Sequence, residues 1–302
     1  MTAPTDRPTS YFLAGHAFES PPLAPGLYVV STPIGNLRDI TIRALETLAA
    51  ADVIFCEDTR LSARLLDHYG IKTPRKPLHE HNERQRIEAI LEDLSRGSSI
   101  ALISDAGTPL VSDPGFPLVR ALREEDRPVF AVPGASALLS ALAVSGLPTD
   151  SFTFIGFLPP KTGARSNAIA AHKARTETMV FYESPRRLGP SLSDLAEGFG
   201  ADREAVVALE LTKRFERVHR GTLSALAELF NSEETKGEAV IVVAGAAAAP
   251  AVSEADWQEE LVEALKDAPL RAAVDAITEK YKLKRKEVYN AALALKAGDE
   301  EA

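Results

Sequence analysis

Cysteine is almost absent from this chain of 302 residues, because Cys56 is the only one. A lone cysteine excludes an internal disulfide and a zinc site built from several thiolates, and its place in the apolar run VIFC predicts a buried thiol. Long apolar stretches are also missing, since no window approaches the ~20 apolar residues that cross a bilayer. We therefore expect no membrane helix, and the N-terminal segment lacks the apolar core of a signal peptide, which favours a cytoplasmic protein.

Positive charge is scarce, with 34 lysines and arginines against 43 aspartates and glutamates and a net charge of -9. This balance argues against a diffuse surface for polyanions but leaves room for local basic patches. Glycine-rich nucleotide fingerprints are missing from the turn after the first predicted strand, which has only Gly35. The turn therefore matches neither a dinucleotide-binding motif nor a Walker loop, which disfavours NAD and ATP as ligands.

Short apolar runs alternate with amphipathic segments along the chain, which predicts an α/β fold with a mostly parallel sheet. The clearest strand ends at Ser104 and opens into the loop SDAGTPLVSDPGFP. Ligands of open α/β sheets bind beyond the carboxyl ends of the strands, so this loop is a candidate ligand site. Asp105 and Asp113 add carboxylates for a cation or a ribose hydroxyl. An ordinary turn with an aspartate cap is the alternative.

Small or polar residues follow four more predicted strands, and these segments are TPIGN (32–36), EDTR (57–60), HEHNE (79–83) and PGASA (133–137). Loops that converge on one edge of a sheet favour a single binding site there. His79 and His81 are two residues apart with no third ligand nearby, which fits no common zinc pattern, so we expect no metal site.

The motifs STPIGNLRDIT, CEDTR, HEHNE, SDAGTPLVSDPG and VPGASA occur in this order, followed by SFTFIGFLPPK, FYESPRRL, ELTKRFERVHRGTL and KGEAVIVV. As a series they resemble the tetrapyrrole-methylase superfamily of S-adenosylmethionine-dependent methyltransferases over about residues 26–245. Within it they are most similar to the branch that methylates the ribose 2′-hydroxyl of a decoding-centre cytidine in 16S rRNA. The enzymes of tetrapyrroles have a glycine-richer first loop and a Gly-Asp-Pro loop, and this departure counts against a porphyrinoid substrate.

The resemblance implies a two-domain class III methyltransferase fold with S-adenosylmethionine in the cleft between the domains. Carried over motif by motif, the cofactor-binding positions are Asp105, Ala106, Gly107, Leu110, Ser136, Ala137, Glu183, Leu211 and Ala239. It also implies a homodimer, and 16S rRNA or the small ribosomal subunit as the partner. We expect no membrane partner.

The expected organisation is a disordered tail (1–25), an N-terminal α/β domain (26–148), a second α/β domain (149–245), a linker (246–253) and a helical module (254–302). Basic residues cluster in the second domain, at 161–175 and 213–220, and suggest contact with a polyanion; a solvated helix face is the alternative for the first cluster. The last two predicted helices, joined by the basic run KLKRK, resemble a helix-turn-helix, so we expect an RNA-docking module, with a dimerisation appendage as the alternative.

A ribose hydroxyl is a poor nucleophile at neutral pH, so a base or a cation that stabilises the developing alkoxide would help. The candidates at the predicted edge are Glu57, Asp58, Arg60, His79, His81 and Lys213. From these we choose Arg60, His79 and Lys213 as the catalytic candidates, with Arg60 and Lys213 contacting substrate. Two other functions stay open, namely methylation of a tetrapyrrole carbon and regulation by a non-catalytic nucleic-acid-binding protein.

Overall fold

A computed structural model of the chain describes residues 9–247, 254–281 and 283–299. The chain divides into two compact units, residues 1–245 and residues 246–302. The first unit contains two five-stranded sheets. Within the described ranges, no helix is both long enough and apolar enough to cross a membrane.

A β-hairpin precedes the first large sheet and consists of β1 (Ser10–Leu13) and β2 (His16–Glu19), which pair antiparallel. The prolines of this region predicted a disordered tail, and residues 10–19 differ from that prediction. Tyr11 is buried against the first domain, and the backbone N–H of Phe12 donates to the carbonyl of Tyr69 at 2.8 Å. Burial of one aromatic ring therefore stabilises a segment whose composition shows no periodic pattern.

The first large sheet is entirely parallel and has the strand order β5-β4-β6-β3-β7. Its strands are β3 (Gly26–Val30), β4 (Val53–Cys56), β5 (Arg75–Pro77), β6 (Ser99–Leu102) and β7 (Val129–Val132). Its helices are α1 (Ile42–Ala50), α2 (Thr59–His68), α3 (Glu83–Ser95), α4 (Phe116–Glu124) and α5 (Ala137–Ser145), with a short 3-10 helix at Leu37–Asp39. Strand β6 lies at the centre and is buried along its whole length, as expected for an apolar run without a polar face.

The second sheet is mixed and has the strand order β11-β10-β12-β9-β8, in which only β8 and β9 run parallel. Its strands are β8 (Phe152–Phe157), β9 (Thr178–Glu183), β10 (Glu204–Leu209), β11 (Arg217–Thr222) and β12 (Ala239–Val243). Its helices are α6 (Thr162–Ala170), α7 (Leu188–Phe199) and α8 (Leu223–Ser232), with a 3-10 turn at Pro185–Arg187. These helices cover one face, where Phe181, Leu192 and Phe230 share a core.

The other face of the second sheet packs against the first domain. Ala141 and Leu142 of α5 and Ile34 of the loop after β3 share a buried cluster with strand residues that include Val206 and Val240. The two α/β domains therefore have a common apolar junction, which fixes the walls of the space between them.

The second unit is helical in its described residues and contains α9 (Glu254–Asp267), α10 (Leu270–Tyr281) and α11 (Arg285–Asp299). The three helices enclose a small core in which Trp257, Leu261, Val274, Ile277 and Val288 are buried. The apolar stripes of the three helices supply this core, as their periodicity predicts.

Candidate active site

A cavity of about 380 Å³ lies between the two α/β domains of the first unit. Its lining comes from the loops that follow β3, β6 and β7 and from β8, β9, β10 and β12 with the loops beside them. This volume falls within the range of small-molecule pockets, and its position beyond the carboxyl ends of parallel strands is where such folds bind ligands.

The loop after β6 forms one wall, with Asp105, Ala106, Gly107 and Thr108 in the lining. Gly107 has a φ of 77° and pairs with Thr32 through two backbone hydrogen bonds of 2.8 and 3.0 Å. The N–H of Gly107 therefore donates to a carbonyl of the protein and does not point to a ligand. Glycine is needed here because the turn requires a left-handed backbone conformation.

The beginning of α5 forms a second part of the lining through Ser136 and Ala137. Ser136 caps the helix, and its Oγ accepts a hydrogen bond from the N–H of Leu139 at 3.5 Å. The N–H of Leu138 donates to the hydroxyl of Tyr182 at 3.2 Å, which ties the helix to the second sheet. The partial positive charge of a helix N-terminus thus faces the cavity.

The second sheet supplies the opposite wall, which includes Tyr182, Glu183, Leu211, Ala239 and Val240. The carboxylate of Glu183 is buried and already saturated within the protein. Its oxygens accept from Ser191 Oγ and Arg187 at 2.6 Å and from the N–H of Ser184 at 2.7 Å. Glu183 therefore stabilises the end of β9 and leaves little capacity for a hydrogen bond to a ligand.

Eight of the nine residues that the sequence assigned to the cofactor line this one cavity. The exception is Leu110, which has a φ of 75° and packs on the apolar core beneath the first sheet. The side chain of Leu110 turns toward the apolar core because its backbone has a positive φ, and the spacing of residues in the loop does not reveal that conformation. Asp113, which the sequence offered as a carboxylate for a cation or a ribose hydroxyl, also lines the cavity. The residues of the lining to which the sequence assigned no role include Phe157, Tyr182 and Glu238.

The cavity wall is acidic. Four carboxylates line it, those of Asp105, Asp113, Glu183 and Glu238, and none of the described lining residues is lysine or arginine. Glu183 is paired with Arg187 and Glu238 with Lys213, which offsets their charges. The carboxylates of Asp105 and Asp113 have no ion pair with a described basic residue, and their charge favours a cation and disfavours a phosphate group.

Asp113 is the most perturbed carboxyl of the wall. Burial raises its pKa to about 6, and the nearby charges of Glu57 and Asp105 add to the shift, while a hydrogen bond with Ser104 opposes it. Burial also raises the pKa of Asp105. A carboxyl with a pKa near the working pH can accept a proton and release it again, which is the property of a general base.

Arg60 does not line the cavity. Its guanidinium is 89% exposed and binds both carboxylate oxygens of Asp58, at 3.2 and 2.7 Å. These hydrogen bonds hold the pKa of Asp58 at about 2. Asp58 also caps α2, so the pair forms the start of a helix.

His79 lies beside the first sheet and outside the cavity lining. Its Nε2 is 3.1 Å from Nδ2 of Asn82, and its ring centroid is 5.9 Å from that of His81. Among the described residues, its buried Nδ1 has no hydrogen-bond partner, and no group of three His, Cys, Asp or Glu residues is arranged to hold a metal ion.

Lys213 is outside the lining but adjoins it through a neighbour. Its ammonium pairs with Glu210 at 2.9 Å and with Glu238 at 3.1 Å, and Glu238 lines the cavity. The structure thus brings eight of the nine cofactor candidates together in one cavity and leaves the three catalytic candidates outside its lining. Arg60 is held by the nearby Asp58, and Lys213 is held by the nearby Glu210 and by Glu238, which is distant in the chain.

Comparison with known proteins places this architecture in a family. Residues 26–227 match the profile of the Tetrapyrrole (Corrin/Porphyrin) Methylases. A protein of Mesorhizobium japonicum named Ribosomal RNA small subunit methyltransferase I is 46% identical over 91% of this chain and 94% of its own length. A protein of the same name from Escherichia coli O157:H7 is 44% identical over 88% of this chain and 94% of its own length.

Solved structures share the fold at low sequence identity. Diphthine synthase has a TM-score of 0.58 and 16% identity, over 72% of this chain and 89% of its own. Uroporphyrin-III C-methyltransferase from Thermus thermophilus, solved with S-adenosyl homocysteine, has a TM-score of 0.51 and 19% identity, over 72% of this chain and 97% of its own. The fold and the family expected from the motifs are confirmed, and the chain belongs to the ribosomal RNA small subunit methyltransferase I family of S-adenosylmethionine-dependent tetrapyrrole-methylase-fold enzymes.

Proposed function

We propose that this protein transfers the methyl group of S-adenosylmethionine to the ribose 2′-hydroxyl of a decoding-centre cytidine in 16S rRNA. The observation that carries the proposal is the match of relatives named for rRNA small subunit methylation over about nine tenths of the chain, which includes the whole cavity. The cytidine and the 2′-hydroxyl come from the resemblance of the motifs. The substrate is the rRNA or the small subunit, in the cytoplasm.

The chemistry of the cavity fits this cofactor. The bound cofactor supplies an activated methyl group on a positively charged sulfur. The acidic wall of Asp105 and Asp113 favours that charge, and the N-terminus of α5 at Ser136 and Ala137 favours a carboxylate. Gly107 shapes the loop that carries these contacts. We assign the cofactor to this cavity, with Leu110 supporting the loop from below.

Asp113 is the group that we propose accepts the proton of the ribose hydroxyl. It is the cavity carboxyl whose pKa is raised to about 6, so it is largely ionised at neutral pH and still basic enough to be useful. The chemistry asks the protein mainly to align the hydroxyl with the methyl group, and alignment of this kind lowers the barrier by several kcal/mol in order of magnitude.

The basic segments of the second domain are partly used within the fold. Arg165 is buried in an ion pair of 2.5 Å with Asp194, and Arg175 is paired at 2.6 Å with its neighbour Glu177. Of that cluster, Lys161 and Lys173 remain exposed. The polyanion surface expected from the sequence is therefore smaller than the count of basic residues suggests.

The segment after β10 adds an exposed cation and an exposed ring. The guanidinium of Arg214 lies 5.5 Å from the ring centroid of Phe215, which is 70% exposed, and Arg217 is exposed nearby. We propose that these side chains, with Lys161 and Lys173, contact the RNA outside the acidic cavity.

The helical unit, residues 254–302, is proposed as a docking module for the RNA. Its basic run is partly neutralised, because Lys280 pairs with Glu260 and Arg285 pairs with Asp275. Lys284 and Lys286 remain exposed at the start of α11, which leaves two charges for phosphates. Lys282 lies outside the described residues.

A homodimer is also part of the proposal. Phe116, Phe130 and Leu139 are large apolar side chains that the single chain leaves exposed, at 63%, 38% and 55%. Covering such side chains with a second copy is favourable. Sedimentation velocity of the purified protein measures the mass of the assembly.

The product decides the function. We expect that small subunits from cells without this protein, incubated with it and labelled cofactor, gain a 2′-O-methylcytidine in 16S rRNA, detected by nuclease digestion and mass spectrometry. A 2′-deoxycytidine at the target should accept no methyl group, because the nucleophile is missing. Methyl transfer to a tetrapyrrole without any to rRNA would favour the alternative enzyme, and RNA binding without transfer would favour the regulator.

Gly107→Ala tests the cofactor loop. Alanine at this positive φ is strained by roughly 1 kcal/mol or more, so the loop should shift and the affinity for S-adenosylmethionine should fall at least about tenfold by calorimetry. Gly97→Ala is the matched control, since Gly97 has a φ of 90°, open space around it and no place in the cavity. Both variants should lose similar thermal stability. Equal cofactor affinity in the two variants would remove Gly107 from the site.

Asp113→Asn tests the base. We expect kcat to fall about 100-fold and the cofactor affinity to fall much less, because Asp105 still supplies a carboxylate for the positive sulfur. The wild-type rate should fall as the pH drops through about 6, because a protonated carboxyl cannot accept the proton. This acidic limb of the pH–rate profile should be absent in Asp113→Asn. Glu57→Gln removes a neighbouring negative charge, which lowers the pKa of Asp113, so its limb should move to lower pH. A full rate for Asp113→Asn would contradict the role.

The double substitution Lys284→Glu with Lys286→Glu tests the docking module. Binding to small subunits should weaken, and the slope of log K against log salt should shrink by about 0.7 to 0.9 per lost phosphate contact. Lys72→Glu is the control, because Lys72 is an exposed lysine of the first domain without a proposed role. If both changes have the same effect, the helical unit has no particular part in RNA binding.

A further inference from the structure

Phe157 combines two properties that rarely occur together. It lines the cavity between the domains, and 57% of its surface is exposed. An aromatic ring left open to water gives up the stabilisation of burial. Its place in the cavity therefore suggests that a ligand covers it.

The ring reaches the cavity because of a β-bulge. Strand β8 pairs Phe154 with Val180 and then Gly156 with Phe181, so Ile155 is an extra residue in the ladder. Regular alternation would put residues 154 and 157 on opposite faces of the sheet. The extra residue returns both rings to one face, which is a known effect of bulges beside functional sites.

Tyr182 shows that the two rings do share a face. Its ring centroid lies 4.9 Å from that of Phe154 and 5.6 Å from that of Phe157. The hydroxyl of Tyr182 accepts the N–H of Leu138, so this ring is fixed between the domains. Phe157 therefore has one edge packed on a fixed ring and the remaining surface open.

The bulge also brings β8 close to the loop that carries Asp113. Gly156 has a φ of 78°, and a Cβ built on it would lie 3.3 Å from Oγ of Ser112, the residue before Asp113. Phe157 and Asp113 thus lie on adjoining parts of the wall. The groups that face Asp113 from the packed elements are Glu57, Asp105 and the hydroxyl of Tyr182.

The charge of the wall restricts which part of a nucleotide can lie against the ring. Carboxylates line the cavity and no described lining residue is basic, so phosphates are repelled. A ribose and its base carry no charge and are tolerated. The exposed cations Lys161 and Arg214 lie outside the lining, where phosphates can be bound.

We propose that the ring of Phe157 stacks on the base of the target nucleotide and so directs its ribose toward Asp113. The inference rests on the proposed function, because it takes a single nucleotide of rRNA as the substrate. Aromatic rings commonly hold unstacked bases of RNA in this way. Every base has a π-face, so Phe157 positions the nucleotide and contributes little to the choice of cytosine over uracil.

Phe157→Ala should raise KM for small subunits about ten- to hundredfold, which is the usual range for loss of one base–aromatic stack. The kcat should fall as well, because the ribose is then less well aligned with Asp113, while the cofactor affinity and the sedimentation coefficient should stay as in the wild type. Phe157→Tyr and Phe157→Trp should restore KM, because both keep a flat ring. Phe152→Ala is the matched control, since Phe152 is on the same strand, 40% exposed and outside the lining.

An abasic ribose at the target nucleotide separates stacking from any other effect. Without a base, the wild type and Phe157→Ala should have the same KM, because the stack is absent in both. The proposal is overturned if Phe157→Ala leaves KM unchanged, keeps its penalty on the abasic substrate, loses cofactor affinity or alters the assembly. A wild-type protein that methylates no rRNA would instead contradict the proposed function, so the two failures are distinguishable.

Discussion

The packing of α5 on the second sheet is the contact on which the rest of the structure depends. Ala141 and Leu142 of this helix are buried against Val206 and Val240, while the beginning of the same helix lines the cavity. One face of the helix thus packs between the domains, and its N-terminus forms part of the cavity wall. Because the junction is apolar and closely packed, a ligand meets walls that are already in place, which reduces the entropy lost on binding.

Charge is separated over short distances around that junction. The cavity wall carries Asp113 and Glu238, and Lys213, which adjoins the wall, is held by two glutamates. Exposed cations such as Arg214 lie outside the lining. A protein with a net charge of -9 can then bind RNA, because the field near a ligand depends on the local charges much more than on the total.

The sequence predicted what depends on local pattern and could not predict what depends on distant partners. Apolar runs account for four of the five strands of the first sheet, and β5, with the sequence RKP, is the exception. The ordered motifs located Asp105, Ser136 and Ala239, which line one cavity although they are far apart in the chain. The sequence also singled out Asp113 as a carboxylate of the loop. It could not show that burial would raise its pKa, because the burial comes from the fold.

The two glycines beside the cavity show that the role of a glycine in a sequence motif can be assigned only when its backbone conformation is known. Gly107 and Gly156 both have positive φ, at 77° and 78°, and the N–H of Gly107 donates to the carbonyl of Thr32 and not to a ligand. Gly107 turns the loop that carries the carboxylates, and Gly156 lies at the bulge that turns Phe157 toward them. Other side chains rarely adopt this conformation, so the substitution of either glycine would move a wall of the cavity. The glycines of these segments therefore determine the shape of the cavity, whereas its chemical groups are the carboxylates and the ring of Phe157, whose positions depend on the two glycines.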